Sequence, residues 1–529
     1  MSKGRDMDQN VVFPGLMMHR PLLLTDFAER AARVFPDQEV VSHRAGRITR
    51  RTMAETVERA RRLASSLSRL GVGVGDRVGT FAWNTQEHLE LYIAVPAMGA
   101  VLHPVNIRLH ESDISYIVDH AGDRVMFVDD SLSDRLPRVD CVEHEVVMGG
   151  GERDGALSYE QLIAEGDPEF PFVSVPETSA AAMCYTSGTT GAPKGVVYSH
   201  RSTVLHTLLQ SLPDAYGLSE SDTILPIVPM FHANAWGLPY AALMVGAKLV
   251  LPGEIAAPAD VARLIEAERV TFAAAITTIW HGISQLSTVP DVSSLREAVA
   301  GGAPVSESLL RDLDAIGITA IQGFGMTEVN PLLGVGRPPA RLDPADPAWM
   351  SARLSQGRPM PLVGVEVDEE VGGELLLSGN TVASGYYRAT AEQSNRFTED
   401  GWMRTGDIVT RDGDGLLRLV DRTKDLVKSG GEWISSVELE NAIMMHPAVA
   451  EATVVAIPDE RWGERPYAFV VPRAGASLDV PDLKAFLQER VAKWWIPQDI
   501  EIVGEIAKTS VGKFDKKRLR EQVATDRRG

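Results

Sequence analysis

The stretch Tyr185–Gly195, which reads Tyr-Thr-Ser-Gly-Thr-Thr-Gly-Ala-Pro-Lys-Gly, constrains this chain more than any other feature. It contains four aliphatic hydroxyl side chains, three glycines and a lysine, and it follows the apolar run 180–184. Glycines let successive backbone N–H groups converge on an anion, while hydroxyls add donors and a lysine adds a compact positive charge. The stretch therefore predicts a polyphosphate-binding loop after a buried strand. Its spacing differs from the usual P-loop, and a solvated linker is the alternative interpretation.

Length, composition and charge narrow the class of protein. A chain of 529 residues is too long for one hydrophobic core and predicts two to four domains. Hydrophobic residues make up 44% and charged residues 23%, which is typical of a globular protein. The formal net charge of −20 disfavours nucleic acid and anionic lipid surfaces as main partners. An anionic nucleotide would then need a locally positive pocket.

Cysteine usage and hydropathy predict a cytoplasmic location. The two cysteines, Cys141 and Cys184, have no metal-ligand spacing around them, which favours a reducing compartment without a disulfide framework. Residues 1–15 contain no apolar signal-peptide region, and no run of about 18 apolar residues predicts a membrane span.

Hydrophobic periodicity predicts stacked β/α layers, that is, an α/β fold with largely buried sheets. Residues Ala54–Leu70 form an amphipathic pattern that stops at Gly71. Short β-rich runs then alternate with helical patterns. The β-rich runs are Arg77–Trp83, Val101–Val105, Val125–Val128, Thr223–Val228 and Lys248–Leu251, and the helical patterns include Glu87–Gly99 and Pro258–Glu268.

The last hundred or so residues predict a separate small α+β domain. Composition shifts near Gly401, and a dense charged patch occupies Asp421–Asp425. After it, Thr453–Ile457 and Ala468–Val471 are typical of strands, and Val480–Trp494 is typical of a helix. The charged patch would join the two parts of the chain, although a solvated turn is the plainer interpretation of a charge run.

Four further segments combine glycines, hydroxyls and charged groups in a way that plain packing does not require. They are Gly323–Glu328, Trp402–Asp407, Lys428–Trp433 and Thr509–Lys513. Each one alone is most simply an ordinary turn.

Together and in this order, these motifs resemble the adenylate-forming superfamily of acyl-CoA ligases, luciferases and peptide-synthetase adenylation domains. The resemblance covers essentially the whole chain. Within the superfamily, Pro229–Trp236 and Lys428–Ser435 are most similar to the fatty-acyl and medium-chain acyl-CoA synthetases. The resemblance implies a large N-terminal ATP- and acyl-binding domain over residues 1–421, a hinge at 422–425 with Lys424 at its pivot, and a mobile lid domain over residues 426–529.

The resemblance also implies the reaction. A carboxylic acid is activated with ATP and Mg²⁺ to an acyl-adenylate and pyrophosphate, and the thiol of CoA then displaces AMP. Because two anions must meet in the first step, positioned cations and hydrogen-bond donors are the main catalytic requirement. Lys513 would close the site for adenylation. In the second step the loop 428–433 would replace it, with Gly430 and Gly431 leaving room for the pantetheine arm.

Matching residues carry the family's roles over to this chain. Lys513 matches the catalytic lysine, although surface charge beside Lys508, Lys516 and Lys517 is its alternative interpretation. Thr186 and Glu328 match the positions that hold Mg²⁺. The implied phosphate-binding residues are Ser187, Gly188, Thr189, Thr190, Gly191 and Lys194, and the implied nucleotide-binding residues are Gly302, Gly323, Phe324, Gly325, Thr327, Asp407, Arg422 and Trp433.

The acyl site is expected after the strand 223–228. His232, Trp236, Gly301 and Ala303 match it, with Thr278 and Trp280 as neighbouring candidates. In the fatty-acyl branch a tryptophan at the position of Trp236 gates a tunnel, but a plain core aromatic is the alternative. These residues are small or apolar, which favours an aliphatic acid. One departure is Phe324, where the family usually has a tyrosine, so stacking on the adenine is retained and one hydrogen bond is lost.

Alternative functions remain at this point. An amine or a carrier-protein thiol could intercept the adenylate, although no fused carrier domain follows Lys513. A non-catalytic nucleotide sensor is the alternative from another class, and the presence of Lys513, Glu328, Asp407 and Arg422 disfavours it. A homodimer is expected from family likeness only. The identity and chain length of the acid are not fixed by the sequence.

Overall fold

A computed structural model describes residues 15–186, 192–369, 372–430, 432–473, 475–509 and 514–526. The helices of these residues are α1 Thr25–Val34, α2 Met53–Arg69, α3 Gln86–Ala97, α4 Glu111–Ala121, α5 Tyr159–Glu165, α6 His200–Gln210, α7 Leu238–Val245, α8 Pro258–Glu268, α9 Thr277–Ser284, α10 Glu307–Ala315, α11 Pro347–Arg353, α12 Ala391–Ser394, α13 Ser436–Met444, α14 Val480–Gln488 and α15 Lys516–Asp526.

The strands are β1 Glu39–Arg44, β2 Arg47–Thr52, β3 Arg77–Phe81, β4 Val101–Pro104, β5 Asp123–Asp129, β6 His144–Met148, β7 Leu157–Ser158, β8 Ala180–Thr186, β9 Lys194–Ser199, β10 Thr223–Pro226, β11 Lys248–Leu251, β12 Phe272–Ile276, β13 Glu297–Gly301, β14 Ala320–Gly325, β15 Leu332–Val335, β16 Arg358–Pro359, β17 Val363–Asp368, β18 Glu374–Gly379, β19 Met403–Arg411, β20 Leu417–Arg422, β21 Val427–Ser429, β22 Glu432–Ile434, β23 Val449–Asp459, β24 Gly463–Pro472 and β25 Asp499–Ile502. Short 3₁₀ turns cover Asp130–Arg135, Ala233–Gly237 and Thr327–Val329.

Two large, mostly parallel sheets form the body of the protein. One has the strand order β7-β6-β5-β3-β4-β8-β9, and only its β8–β9 pair is antiparallel. The other has the order β16-β15-β14-β13-β12-β10-β11-β1-β2 and is parallel from β14 through to β1. Their central strands, such as β3, β12 and β13, are buried on both faces, which explains the short continuous apolar runs in the sequence.

The hydrophobic core is layered between and outside these sheets. The main cluster joins residues of both sheets, such as Val78 and Val299, with helices α1–α3 and α7. A second cluster covers the other face of the nine-stranded sheet with α8–α10, and a third covers the seven-stranded sheet with α4. The expected stack of β/α layers is therefore observed.

Two smaller sheets follow along the chain. Strands β17–β20 form a four-stranded antiparallel sheet, and β21–β25 form the five-stranded sheet of the C-terminal part. The change from one sheet to the next falls between Arg422 and Val427. Across this junction, Ser435 donates to the carbonyl of Val420, and the backbone N–H of Ser436 donates to Asp421.

Element bounds agree closely with the sequence in some places and differ in others. Strand Lys248–Leu251 and helix Pro258–Glu268 are observed as predicted. Helix α2 ends one residue earlier than predicted, with Gly71 in the left-handed region at φ 83° just beyond its cap. The prediction of a helix over Val480–Trp494 is wrong beyond Gln488, because the chain turns there after its last buried position, Leu487, and returns to form β25.

None of the helices in the described part of the chain has the length and apolar character needed to cross a membrane. Both cysteines are free. Cys184 is buried in the main cluster, and Cys141 is partly buried and packs against the third cluster.

Candidate functional site

The β8–β9 hairpin carries the glycine-rich stretch. Thr186 at the end of β8 pairs with Lys194 at the start of β9, and the apolar strand expected before the stretch is present. Of the expected phosphate-binding residues, Ser187, Gly188, Thr189, Thr190 and Gly191 lie outside the described residues. Thr186 and Lys194 are described, both are partly buried, and they are paired where β8 ends and β9 begins.

Tyr386 connects this hairpin to Glu328. Its hydroxyl donates to Glu328 Oε1 over 2.7 Å, and the Nζ atom of Lys194 lies 5.1 Å from its ring centroid. Burial and the neighbouring carboxylate raise the pKa of the Tyr386 hydroxyl, so it acts as a protonated donor. Tyr198 on β9 also bonds the backbone carbonyl of Thr327 over 2.7 Å. The hairpin and the turn 327–329 are therefore held together at two points.

Asp407 and Arg422 form an ion pair on the same side of the molecule. They are direct cross-strand neighbours on β19 and β20, with Arg422 Nε 3.1 Å from Asp407 Oδ1. Asp407 is 2% exposed. The pKa of the Arg422 guanidinium is raised, chiefly by Asp407, with Asp425 and Glu328 adding to the effect. Asp407 and Arg422, the pair expected from the sequence to bind ribose, are thus brought into direct contact.

The ends of β13 and β14 supply the next group of expected residues. Gly301 and Gly323 are register partners at the carboxyl ends of these parallel strands, where open α/β sheets bind ligands. A Cβ atom on Gly325 would lie 1.9 Å from the carbonyl oxygen of Pro331, so only glycine fits there. Gly302 has φ 81° and is partly buried, as is Ala303.

Phe324 and Thr327 flank this glycine-rich corner. Phe324 is partly buried and packs on the small cluster that contains Val329 and Leu377. Thr327 is 7% exposed and offers its backbone carbonyl to Tyr198 rather than to solvent. The corner is consequently packed and hydrogen-bonded on its protein-facing side.

The segment 233–237 has an unusual backbone. Four consecutive non-glycine residues, from Ala233 to Trp236, have φ between 44° and 55°, and Gly237 follows at 76°. The left-handed conformation costs about 1–2 kcal/mol for each L-residue, so neighbouring groups must hold it. Gln210 donates to the carbonyl of Gly237 over 3.0 Å, and Tyr92 donates to Asn234 over 3.3 Å.

This backbone directs Trp236 at the end of β13. The indole is 9% exposed, and its Cη2 atom would lie 2.8 Å from a Cβ atom on Gly301. His232 precedes the segment and is partly buried. Trp280, by contrast, is wholly buried in the cluster on the opposite face of the sheet and donates to the carbonyl of Val299 over 2.9 Å. The structure thus places Trp280 on the face of the sheet opposite to Trp236.

The small domain carries the remaining expected residues. Gly430 has φ 64°, and a Cβ atom there would lie 2.9 Å from Trp462 Cε3. Trp433 is 51% exposed, and its described ring partner is Lys428 of the same domain, so its place beside Gly302 and Gly325 stays a prediction. Gly431 and Lys513 lie outside the described residues.

Lys424 occupies the connection between the two domains. The pKa of its ammonium group is lowered, first by loss of hydration and then by the positive charges of Arg422 and Arg520. Its carbonyl accepts from Arg520, which also pairs with Asp425. The connection is therefore bonded to α15 on its small-domain side.

The two domains meet at α9 and α10. Arg473 lies 3.7 Å from Asp312 across this interface. Burial lowers the pKa of His281, and the charges around His281 come from both domains, with Asp312 on one side and Glu451, Arg473 and Lys508 on the other. The face that carries Lys508 is thus turned towards the large domain, whereas Trp433 faces solvent.

Hard oxygen ligands are present for a Mg²⁺ ion. The described residues contain no group of three or more His, Cys, Asp or Glu side chains that could hold a metal alone. Mg²⁺ typically takes one or two protein oxygens and completes its shell with phosphate and water. Glu328 with the hydroxyl of Thr186 fits this requirement, because β8 packs against the turn 327–329 that bears Glu328.

Sequence reasoning missed Tyr386 and Tyr198. The only local signal for Tyr386 was the dipeptide Tyr386-Tyr387 after Ser384-Gly385. Tyr198 carries no such signal, since it belongs to an ordinary strand and its partner is 129 residues away.

Comparisons with known proteins agree over nearly the whole chain. A family model described as AMP-binding enzyme matches residues 28–387, and one described as AMP-binding enzyme C-terminal domain matches residues 438–513. The chain is 46% identical to a long-chain-fatty-acid–CoA ligase of Thermus thermophilus, over 96% of this chain and 97% of that one. It is 39% identical to a medium-chain-fatty-acid–CoA ligase of Ectopseudomonas oleovorans, with the same coverage.

Solved structures agree with the sequence relatives. The crystal structure of an anthranilate CoA ligase in complex with anthranoyl-AMP superposes with a TM-score of 0.86 at 26% identity. The match covers 96% of this chain and 99% of that structure, so both the large and the small domain are included.

Proposed function

Because the chain belongs to the AMP-binding enzyme family, we propose that it is an ATP-dependent acyl-CoA ligase acting on an apolar, medium- or long-chain carboxylic acid. The resemblance to adenylate-forming enzymes and the α/β fold with a small C-terminal domain are confirmed. The domain bounds, the residue roles, the cytoplasmic location and the homodimer stay predictions.

One observation carries the proposal: residues from distant parts of the chain converge on one locus. The contacts run from Thr186 and Lys194 through Tyr386 to Glu328, and the charge of Glu328 acts on Arg422, which pairs with Asp407. These groups are a lysine and a hydroxyl for phosphate, a carboxylate for a metal ion, and a charged pair for ribose hydroxyls. Such a set suits ATP better than it suits packing.

In the first half-reaction, the acid's carboxylate attacks the α-phosphorus of ATP and pyrophosphate leaves. Lys194 and the hydroxyl of Thr186 would neutralise the leaving phosphates. Glu328 and Thr186 would hold the Mg²⁺ ion, which supplies charge neutralisation on the phosphate oxygens. Asp407 and Arg422 would bond the ribose hydroxyls, and Lys513 would bridge the two reacting anions. Positioning and electrostatics then account for most of the catalysis.

The acyl chain would enter beside Trp236. Trp236 packs closely against Gly301 at the end of β13, and the left-handed segment 233–237 that carries it is an outlier of the kind found at functional sites. The surroundings of Trp236 are apolar, which supports an aliphatic rather than a charged substrate tail.

In the second half-reaction, CoA's thiolate attacks the adenylate carbonyl and AMP leaves. Rotation about Lys424 would replace the Lys508-bearing face of the small domain by the loop 428–433. The exposure of Trp433 and the docking of Arg473 on Asp312 support the idea that the present arrangement is the adenylation state.

The test is a pyrophosphate-release assay with a panel of acids, repeated with CoA and then with amines, followed by mass spectrometry of the product. We expect release with saturated acids and an acyl-CoA product only when CoA is present. Amide products would support the amide-ligase alternative. Absence of pyrophosphate with every acid would support a nucleotide sensor and refute the proposal.

A further inference from the structure

Tyr386 contacts two oppositely charged residues at once. Its hydroxyl donates to Glu328 at 2.7 Å, while Lys194 Nζ lies over its ring face at 5.1 Å. Neither charged group lies within 4.0 Å of an oppositely charged side-chain atom anywhere in the described ranges. The phenol therefore contacts both charged groups, which form no direct ion pair with each other.

The surrounding backbone holds Tyr386 in this position. The N–H of Ala383 donates to the carbonyl of Glu328 over 2.8 Å, and the N–H of Tyr387 donates to the carbonyl of Gly195 over 2.8 Å. Tyr386 itself is 7% exposed, and Phe397 packs against it edge-on at 5.8 Å. The segment 383–387 thus clamps the start of β9 and the turn 327–329 at a fixed spacing.

A lysine and a carboxylate in a half-buried site attract each other strongly, because the local dielectric constant is lower than that of water. A direct pair between Lys194 and Glu328 would neutralise both before any ligand arrives. An aromatic face attracts the ammonium weakly without using its hydrogen-bond donors, and a phenol occupies only one of the two carboxylate oxygens.

We propose that Tyr386 is a positioning residue that keeps Lys194 and Glu328 apart, so that Lys194 stays available to phosphate and Glu328 to the metal ion. This inference rests on the proposed ATP site. It assigns to Tyr386 two separable effects, one exerted through the hydroxyl on Glu328 and one through the ring on Lys194.

The hydroxyl is tested with Tyr386→Phe. The probe is Mn²⁺ bound with α,β-methylene ATP, which cannot be cleaved, and the readouts are Mn²⁺ electron paramagnetic resonance and calorimetric nucleotide affinity in EDTA. Loss of a hydrogen bond that orients a metal ligand weakens metal binding about tenfold. We expect this loss for Mn²⁺, with the metal-free nucleotide affinity changed less than twofold. Mn²⁺ affinity equal to that of the wild type would overturn the role of the hydroxyl.

The ring is tested with Tyr386→Leu. Without the ring, Lys194 closes on Glu328, so we expect metal-free nucleotide affinity to fall about tenfold, in the range of a lost charge-assisted bond. Adding Glu328→Gln to this variant removes the competing charge and should restore that affinity. A double variant as weak as Tyr386→Leu alone would overturn the separating role. Should the leucine variant not fold, Tyr386→Met, which also lacks the ring face, replaces it in both measurements.

Tyr387→Phe is the matched control, because this neighbouring tyrosine faces His120 at 5.6 Å instead of Glu328. Its metal and nucleotide affinities should equal those of the wild type. Failure of the wild type and this control to release pyrophosphate with any acid would refute the proposed function itself. Active controls combined with unaffected Tyr386→Phe and Tyr386→Leu variants would refute only the role of Tyr386.

Discussion

The contact between Gly301 and Trp236 gives a quantitative test of how the acyl site is built. An added methyl group at Gly301 would lie 2.8 Å from Trp236 Cη2 and 3.0 Å from the carbonyl oxygen of Gly323. Ordinary contact begins near 3.4 Å, so the ring must retreat by about 0.6 Å or the strands must separate. Because the carbonyl of Gly323 is held in the sheet, we expect the Trp236 ring to move instead.

We expect Gly301→Ala to lower the free energy of unfolding by about 1–3 kcal/mol, the usual effect of overpacking a dense core. Trp236→Leu removes the atom that clashes and lowers stability for a different reason, because it leaves a cavity. In the double variant the new methyl group fills part of that cavity. Its loss of stability should therefore be smaller than the sum of the single losses by about 1 kcal/mol or more.

Urea unfolding of the four proteins measures this coupling, and pyrophosphate release across a series of saturated acids measures the functional side. Gly301→Ala alone should shift the preferred acid to a shorter chain, and the double variant should return it to longer ones. Strictly additive stabilities, together with an unchanged chain-length profile in all variants, would show that Trp236 and Gly301 do not share a site.

Three further perturbations address other parts of the molecule. Lys513→Ala should abolish adenylate formation yet spare thioester formation from supplied acyl-adenylate, and equal loss of both half-reactions would contradict the exchange of lids. Gly430→Ala should slow only the thioester step, because the added Cβ would lie 2.9 Å from Trp462 and the residue has φ 64°. Separate single-turnover assays of the adenylation and thioester half-reactions measure both effects. Burial lowers the pKa of His206 to about 3, so the unfolded chain binds this proton more readily and stability falls as pH drops below 6.5. At pH 5 this residue lowers the free energy of unfolding by about 2 kcal/mol. Urea unfolding of His206→Gln should therefore show a correspondingly smaller loss of stability between pH 7.5 and pH 5 than the wild type shows. An equal loss in both proteins would exclude His206 as the cause.

Local patterns predicted those features whose causes are local. The strand before the phosphate-binding stretch, the strand Lys248–Leu251 and the helix Pro258–Glu268 follow from periodicity and from their flanking residues. The charged patch marks the junction between sheets because that segment leaves one sheet at Arg422 before Val427 begins the next. In each case the information lies within about ten residues.

Features that depend on distant partners were not visible in the sequence. The left-handed backbone from Ala233 to Gly237 is held by Tyr92 and Gln210, which are remote along the chain. Trp280 was expected beside Trp236, but the two rings lie in core clusters on opposite faces of the nine-stranded sheet. The role of Tyr386 depends on where Lys194 and Glu328 come to lie, and no local pattern encodes that distance.

The proposed nucleotide site draws on all three sheets of the large domain. Lys194 begins an edge strand of the seven-stranded sheet, Glu328 follows β14 of the nine-stranded sheet, and Arg422 ends the four-stranded sheet. A nucleotide bound by all three therefore reports on the alignment of the layers, since a sheet that slides by even 1 Å changes one set of its contacts and leaves the others intact. Core substitutions far from any ligand atom can consequently weaken the apparent affinity for ATP. Bound ATP should in turn stabilise the large domain against sliding of one sheet past another.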